Sequence, residues 1–317
     1  MERAFQELIN GILLKKKSLK FTNMGGVPVP IFYNPIKKKF NVYCTDKLKS
    51  DIEFFSVKGT TRDTIKNSAS KCKIFYTGEC VSKNSVLGNT ELENNLVDLV
   101  DLSIGFDFLS NQNYIRLPLW ILYFFNLDDD LDSIHKKIQN FNNKEISHRS
   151  RFASLIATED IKGIRTKIYN CISKIEKVDC AGKLMHNDDS LKNNFNDHKI
   201  NYLNHFNFNI CPENAQSDGY VTEKVFEALQ SGCIPIYNGW SKNPEPHILN
   251  PSSFLWFDEE SENLDLIEEV KYYQENPKAF CNFKKNNLPF LDTATDAIDQ
   301  VLKTYNEKIN TIFEKLG

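Results

Sequence analysis

Three observations predict an α/β protein built from parallel sheets. The chain has 317 residues, more than one hydrophobic core usually holds, so two domains are expected. Short apolar strands alternate with polar or helical links, which is the pattern of parallel sheets. The clearest such unit, residues 206–239, has the pattern of strand, polar loop, helix, strand and turn. Because ligands bind beyond the carboxyl ends of parallel strands, the loops there are the candidates for function.

Residues 1–148 are predicted to form the first domain. Its first twenty residues, 1–20, are expected to form a short amphipathic helix, since apolar side chains recur there at helical spacing. Strands are then predicted at Phe40–Cys44, Asp51–Val57 and Lys73–Tyr76. The segment Tyr114–Phe125 is aromatic and apolar, which favours a position in the core or on the floor of the cleft between the domains over a sugar-stacking role for Trp120.

A second domain is predicted from 149 to 295, after a polar stretch, with residues 296–317 as a separate C-terminal helix. Its first strand is expected at Phe152–Thr158, and a helix is expected to begin near Arg165. Later elements are a strand at Phe254–Phe257 and helices at Leu264–Tyr273, Pro277–Lys285 and Ala297–Leu316. Apolar residues recur at helical spacing in the last helix, so it is expected to pack against the protein.

The segment 206–239 can be divided into elements in more detail. Apolar residues alternate with asparagine over 206–210, which indicates a half-buried strand. A helix is expected to begin at about Glu223, with Thr222 as its N-cap and Gly232 at its end. The intervening loop is small and polar.

This helix is a candidate anion site. Its N-terminus would present unpaired backbone N–H groups and a positive dipole end to whatever lies in front of it. Lys224 in the first turn is unfavourable for the helix alone, and an anionic ligand would explain it. An ordinary αβ unit with a surface lysine explains the spacing equally well.

Composition and charge argue against several classes of protein. Hydrophobic residues make up 41% and charged residues 26%, as in soluble globular proteins, and a net charge of −3 argues against a nucleic-acid binder. No apolar run approaches the roughly 20 residues of a membrane span. The eight cysteines lack metal-ligand spacing and are expected to be free, mostly buried thiols of a reducing compartment. A cytoplasmic location is therefore predicted.

Two charged segments each have two interpretations. The acidic cluster Leu127–Asp132 could hold a divalent metal, but a helix cap at Asp130 or Asp132 is favoured. The lysine runs at 15–17 and 37–39 could contact an anionic membrane at the inner face. A solvated protein surface is the favoured interpretation of both runs.

Several motifs resemble a known family. CPEN, GYVTEK and IPIYNG follow one another within 211–239 and resemble the donor-binding motif of the α-1,3/1,4-fucosyltransferases, glycosyltransferase family ten. IFYTGE, DLSIGFDFL and YIRLPLW resemble the N-terminal domain of the same family. The resemblance covers roughly residues 70–260, and the bacterial-type members are the most similar. It implies a GT-B fold, in which two Rossmann-like domains face each other across the active site.

The resemblance also assigns roles to residues. Glu79 falls on the proposed catalytic base of the family, although taken alone a turn residue or a helix cap would be the favoured interpretation. The donor-binding residues that the resemblance implies are Arg165, Asn214, Tyr220, Glu223 and Lys224. Arg165 would contact the donor diphosphate. The family needs no metal and no cofactor, since GDP-fucose is a co-substrate.

The function implied is inverting transfer of L-fucose from GDP-β-L-fucose to an N-acetylglucosamine-containing glycan, such as N-acetyllactosamine, through an α-1,3 linkage. This activity would belong to protein glycosylation or to the synthesis of lipopolysaccharide and other surface glycans that carry Lewis antigens. One alternative is a GT-B transferase that uses another nucleotide sugar. The other is a non-catalytic protein that binds nucleotide sugars or glycans.

Overall fold

The structure is a computed structural model that describes residues 16–81, 90–144 and 147–317. Two compact units divide the chain. Unit 1 contains the residues up to Asp129 together with Gln300–Gly317, and unit 2 contains Asp130–Asp299. The domain boundaries predicted from the sequence, at 148 and 295, stay predictions.

Unit 1 is organised around a six-stranded parallel sheet with the strand order β2-β1-β3-β4-β5-β6. Its strands are β1 Lys17–Thr22, β2 Val42–Cys44, β3 Ile52–Ser56, β4 Cys72–Tyr76, β5 Leu102–Gly105 and β6 Tyr114–Arg116. Its first helices are α1 Pro30–Lys39, α2 Arg62–Lys66 and α3 Leu119–Phe124, with a 3₁₀ segment at Thr90–Leu96. The second strand, β2, pairs with one side of β1, and β3 pairs with its other side. The direction in which strands are added to the sheet therefore reverses between β1 and β3.

The helix predicted for residues 1–20 is wrong over its last residues. Lys17–Thr22 is strand β1, and it pairs with β2 on one side and β3 on the other. Leu19 and Phe21 alternate with polar residues, and Leu19 is fully buried. The pairing of β1 with two strands distant in the chain therefore determines its structure, and the helical spacing of the earlier apolar residues does not extend into it. Residues 1–15 lie outside the described residues.

Aromatic and aliphatic side chains fill the core of unit 1. All five residues of the central strand β3 are buried. Trp120 of α3 is fully buried, which confirms the predicted core position. The one carboxylate of β3, that of Glu53, forms an ion pair with Lys20 at 2.8 Å and accepts a hydrogen bond from Thr22 Oγ1 at 2.6 Å. Burial raises the pKa of Glu53, but the hydrogen bonds from these partners lower it on balance.

The C-terminal helix α11, Ala294–Leu316, belongs to unit 1 from Gln300 onward. The ring centroids of Phe313 and Phe40 are 3.8 Å apart and nearly parallel. Tyr305 is buried, with its ring centroid 6.4 Å from that of Phe32. Asn306 Nδ2 donates to Leu127 O at 2.8 Å. The prediction that the terminal helix packs against the protein is confirmed.

Unit 2 has a five-stranded parallel sheet with the order β11-β10-β9-β7-β8. Its strands are β7 Arg151–Leu155, β8 Val178–Cys180, β9 Phe206–Ile210, β10 Ile234–Tyr237 and β11 Leu255–Trp256. The helices in chain order are α4 Leu131–Asn142, α5 Ile164–Ile172, α6 Ser190–Phe195, α7 Lys199–Leu203, α8 Glu223–Ser231, α9 Leu264–Glu275, α10 Pro277–Asn286 and α11 Ala294–Leu316. A 3₁₀ turn covers Pro251–Ser253.

The acidic cluster before α4 is a helix cap, as predicted. Asp130 is the N-cap, and its carboxylate accepts a hydrogen bond from Ser133 N at 2.9 Å. Within residues 16–81, 90–144 and 147–317, no group of histidine, cysteine and carboxylate side chains has the arrangement of a metal site. In the same residues, no helix is both long and apolar enough to cross a membrane.

Candidate functional site

The topology of unit 2 marks one place on its sheet. The first strand, β7, pairs with β8 on one side and with β9 on the other. The chain therefore runs from β7 to β8 in one direction and then returns past β7 to form β9. In open parallel sheets such a switch point leaves a crevice at the carboxyl ends of the two strands, where ligands bind. Here the loops that leave β7 and β9 lead to the helices α5 and α8.

The loop after β9 is fixed by a buried carboxylate. Glu213 has a fully buried side chain. It accepts hydrogen bonds from Thr222 N at 2.8 Å, from Thr222 Oγ1 at 2.6 Å and from Tyr237 Oη at 3.2 Å. Burial raises the pKa of Glu213, and Lys224 acts in the opposite direction. Glu213 therefore shapes this loop, and Gly219 assists by adopting a φ of 75° that a side chain would disfavour.

The start of α8 has no side-chain cap. Thr222 is the N-cap, as predicted, but its side chain makes no cap hydrogen bond and donates to Glu213 instead. Lys224 Nζ lies 2.8 Å from Thr222 Oγ1, 3.6 Å from Glu213 Oε2 and 3.9 Å from Glu223 Oε1. Its ammonium group is thus held at the N-terminus of the helix. There the dipole already favours an anion.

The loop after β7 brings a second cation to the same end of the sheet. Asp160 holds the first turn of α5 by accepting from Arg165 N at 3.1 Å and Thr166 N at 2.7 Å. Burial raises the pKa of Asp160, but the hydrogen bonds from Thr166 and Arg165 lower it on balance. The guanidinium of Arg165 donates to Glu159 O and to Asn214 Oδ1, both at 2.6 Å. Arg165 therefore joins the two loops of the switch point.

A cavity of about 50 Å³ lies at these strand ends. Three of its lining side chains are cationic: Arg165, Lys199 and Lys224. Lys199 Nζ lies 3.4 Å from Glu227 Oε2, and burial raises the pKa of Glu227 while Lys199 opposes that shift. Asn209 Oδ1 also lies at this cavity, where it is buried and has no hydrogen-bond partner among the described residues. The cavity suits an anion that also accepts or donates hydrogen bonds.

The structure brings together four of the five predicted donor residues directly. Arg165 contacts Asn214, which is exposed, and Lys224 contacts Glu223, which is buried. Tyr220 is 2% exposed, and its backbone N donates to Ser217 O at 3.0 Å in the same loop. Two further lining residues, Lys199 and Glu227, have no motif in the sequence. Glu227 lies on α8 itself, three residues after Lys224, and the packing of α7 against α8 brings Lys199 beside it.

Glu79, the predicted base, belongs to unit 1. It follows β4 and is half-buried. Its backbone N donates to Thr77 Oγ1 at 3.1 Å, and Thr77 Oγ1 donates to Glu79 O at 2.6 Å, so the turn is closed. At Gly78 a Cβ atom would lie 2.7 Å from Tyr76 Oη and 2.9 Å from Leu119 Cδ1, so a larger residue would require these side chains to shift. The turn thus holds Glu79 in one place beyond the carboxyl end of β4.

Two sequence profiles match the chain. One, described as Glycosyltransferase family 10 (fucosyltransferase) C-term, matches residues 146–289. The other, described as Alpha-(1,3)-fucosyltransferase FucT N-terminal domain, matches residues 19–123. The chain belongs to glycosyltransferase family 10. The family predicted from the sequence is therefore confirmed.

Individual proteins similar to this chain are also fucosyltransferases. Alpha-(1,3)-fucosyltransferase FucT of Helicobacter pylori is 27% identical over 275 residues, which cover 75% of this chain and 51% of the relative. The chain thus spans about half the length of that relative. A crystal structure of an alpha1,3-fucosyltransferase is 23% identical, with a TM-score of 0.63 over 92% of this chain and 90% of that one. A crystal structure of an alpha1,3-fucosyltransferase with GDP-fucose is 24% identical to this chain, with a TM-score of 0.61. That match covers 91% of this chain and 90% of the other.

These structural similarities confirm the predicted fold class, α/β of the GT-B type with two Rossmann-like units. Family membership also supports the predicted enzyme class, a glycosyltransferase. The roles assigned to Glu79 and to the five residues of unit 2 stay predictions.

Proposed function

We propose that this protein is an inverting fucosyltransferase that moves L-fucose from GDP-β-L-fucose to a hydroxyl group of an N-acetylglucosamine-containing glycan. The observation that carries the proposal is the cationic cavity at the switch point of unit 2. Arg165 and Lys224 line it beside the N-terminus of α8. A nucleoside diphosphate has the charge and the oxygen acceptors that such a site recognises.

The donor would occupy the strand ends of β7 and β9. Arg165, already hydrogen-bonded to Asn214, has further N–H donors for a diphosphate oxygen. Lys224 and the backbone N–H groups at the start of α8 would donate hydrogen bonds to a second oxygen of the diphosphate. Glu223 would accept hydrogen bonds from sugar or ribose hydroxyls, and Tyr220 would pack behind them.

The transfer needs no reactant other than the donor and the acceptor. Glu79 takes the proton from the acceptor hydroxyl as that oxygen attacks the anomeric carbon of fucose. The bond from that carbon to the diphosphate oxygen breaks, GDP leaves with the electron pair, and the β-linked donor gives an α-linked product. A general base of this kind contributes about 10²–10⁴-fold to the rate. Arg165, Lys224 and the helix N-terminus would stabilise the charge that grows on GDP, so we expect the reaction to need no metal.

We propose that the linkage formed is α-1,3 and that the acceptor is N-acetyllactosamine or a related chain of a bacterial surface glycan. We also propose a cytoplasmic location. No disulfide bond joins cysteines within the described residues, which suits a reducing compartment. Two lysines of the second basic run contact the protein itself: Lys38 pairs with Asp128, and Lys39 donates to Asn306 Oδ1 at 2.5 Å. These contacts favour a protein surface over a membrane contact there.

Transfer from labelled GDP-fucose to N-acetyllactosamine and to lacto-N-biose, in the presence of EDTA, tests the proposal. Product on N-acetyllactosamine is the expected result, and linkage analysis should identify it as α-1,3. Product on lacto-N-biose alone would change the linkage to α-1,4. Competition by UDP but not by GDP would overturn the donor, and GDP binding without turnover on any acceptor would favour a non-catalytic binding protein. Inhibition by EDTA that a divalent metal reverses would overturn metal independence.

A further inference from the structure

An exposed aromatic ring lies at the carboxyl edge of the unit 1 sheet, near the turn that carries Glu79. Phe108, four residues after Ile104 of β5, is 57% exposed. β4 pairs with β5 through Tyr76 and Ile104, and this pairing continues past the strand, since Thr77 N donates to Ile104 O at 2.9 Å. The loops that carry Glu79 and Phe108 therefore leave neighbouring strands, which are about 4.8 Å apart.

Arg116 holds this ring from the next strand. Its guanidinium carbon lies 4.3 Å from the ring centroid of Phe108. Arg116 Nε donates to Phe106 O at 2.8 Å, so the guanidinium is itself anchored. Between Phe106 and Phe108, the side chain of Asp107 accepts a hydrogen bond from Asn95 Nδ2 at 2.7 Å. The ring is thus presented to solvent by a loop whose two residues before the ring, Phe106 and Asp107, are hydrogen-bonded.

Burial of the Phe108 side chain in a core would be favourable, but the side chain is mostly exposed here. A cation on one face of an exposed ring stabilises it less than burial would. An exposed ring with one face covered by Arg116 leaves its other face as a contact surface. The negative face of an aromatic ring attracts the C–H groups of a flat apolar partner, and a pyranose ring offers such a face.

We propose that Phe108 and Arg116 form an acceptor subsite, in which the sugar next to the attacked one stacks on the Phe108 ring. This inference rests on the proposed function, because it needs Glu79 to be the group that takes the acceptor proton. If Glu79 contacts the reacting hydroxyl, the adjoining sugar must lie along a neighbouring strand end. Phe108 and Arg116 occupy the strand ends beyond β4 on that side of the sheet.

Steady-state kinetics of Phe108→Ala, with N-acetyllactosamine and with N-acetylglucosamine alone as acceptors, tests the subsite. We expect the acceptor KM for the disaccharide to rise roughly 3- to 10-fold, the size of an aromatic contact, while KM for the monosaccharide and the Kd of GDP stay unchanged. Phe108→Tyr, which keeps the ring, should retain the wild-type KM. Tyr272→Ala is the matched control, since Tyr272 is 55% exposed on α9 of unit 2.

Direct binding of the disaccharide, measured by saturation-transfer NMR on the folded variants, separates the two proposals. An enzyme that transfers fucose but whose disaccharide KM is indifferent to Phe108→Ala would overturn the subsite and leave the proposed function standing. A protein that binds the disaccharide through Phe108 but transfers no fucose would keep the glycan site and overturn the proposed reaction. Equal rises of KM for both acceptors would also overturn the assignment to the neighbouring sugar.

Discussion

At the scale of single residues, sequence motifs located most of the candidate donor site but not all of it. Asn214, Tyr220, Glu223 and Lys224 lie within one short segment, so a local motif could identify them together. Arg165 is far from them in sequence, and its hydrogen bond to Asn214 is a product of the fold. Lys199 and Glu227 carry no local signal, and neither do Phe108 and Arg116 as a pair.

Replacement of Glu79 by glutamine tests the proposed base. Glu79→Gln keeps the size of the side chain and the two hydrogen bonds between Thr77 Oγ1 and the backbone of residue 79, but the amide cannot accept the acceptor proton. We expect kcat to fall by about 10²–10⁴-fold while the Kd of GDP stays unchanged. Initial-rate kinetics and calorimetric GDP titration measure the two effects.

The exposed carboxylate of Glu262 offers a control for Glu79, since Glu262→Gln removes a charge elsewhere in the chain. Its kcat should equal that of the wild type. Turnover of Glu79→Gln within threefold of wild type would show that another group takes the proton.

Lys224 is the residue on which donor affinity is expected to depend most directly. A charge-assisted hydrogen bond is worth about 1.5–3 kcal/mol, so Lys224→Ala should raise the Kd of GDP by roughly 10- to 100-fold. The same titration on Lys192→Ala, an exposed lysine of α6, should give the wild-type Kd. An unchanged Kd in Lys224→Ala would remove this lysine from the donor site.

At the scale of elements, local signals were sufficient where the determinants lie next to each other in the chain. The predicted cap at Thr222, the start at Glu223 and the stop at Gly232 agree with α8, and Gly232 adopts a φ of 81°. β1 was missed because its determinants are strands 25 or more residues away. Glu213 shows the same limit, since its contact with Tyr237 joins residues 24 positions apart in the chain.

The other end of α8 gives a pH-dependent prediction. Lys284 Nζ donates to Gly232 O at 2.9 Å and to Cys233 O at 3.1 Å, where the helix ends. Although part of its stem is exposed, burial of the amino group lowers the pKa of Lys284 to about 7, from an ordinary value of 10.5. Between these two pH values the unfolded chain holds a proton that the folded protein has lost. Stability contributed by this group therefore rises with pH from about 7 to 10.5.

Urea unfolding at pH 7, 8 and 9 measures this effect. In Lys284→Met the amino group is absent, so the free energy of unfolding should rise less steeply with pH than in the wild type. Lys285→Met, at the exposed neighbouring position, should keep the wild-type slope. Equal slopes in all three proteins would show that Lys284 does not titrate differently in the folded state.

At the scale of the whole molecule, the sequence predicted two α/β units but not how the C-terminal helix is shared. The last residues follow unit 2 in the chain, yet from Gln300 onward they belong to unit 1. The contacts responsible join residues almost at opposite ends of the chain, such as Phe40 with Phe313 and Lys39 with Asn306. Helical periodicity indicates that one face of α11 is covered, but it does not reveal which surface covers it.

Tyr305 of α11 provides a pair of variants with opposite effects on unit 1. It is 1% exposed, and its Oη has no hydrogen-bond partner among the described residues. Tyr305→Ala should destabilise the protein by about 3–5 kcal/mol, as large-to-small core changes of aromatic residues do. Tyr305→Phe removes only the buried hydroxyl without a partner, so its stability should equal or exceed that of the wild type.

Hydrogen exchange followed by mass spectrometry can assign the loss to a unit. Because Tyr305 packs near Phe32 of α1, amides of β1 and β3 should lose protection in Tyr305→Ala, while those of β7 and β9 keep it. Two-domain proteins unfold in separate steps when their cores are independent, so the two sheets report separately. Equal loss of protection in both sheets would show instead that α11 stabilises the two units as one cooperative structure, and wild-type protection in β1 would show that Tyr305 contributes nothing to unit 1.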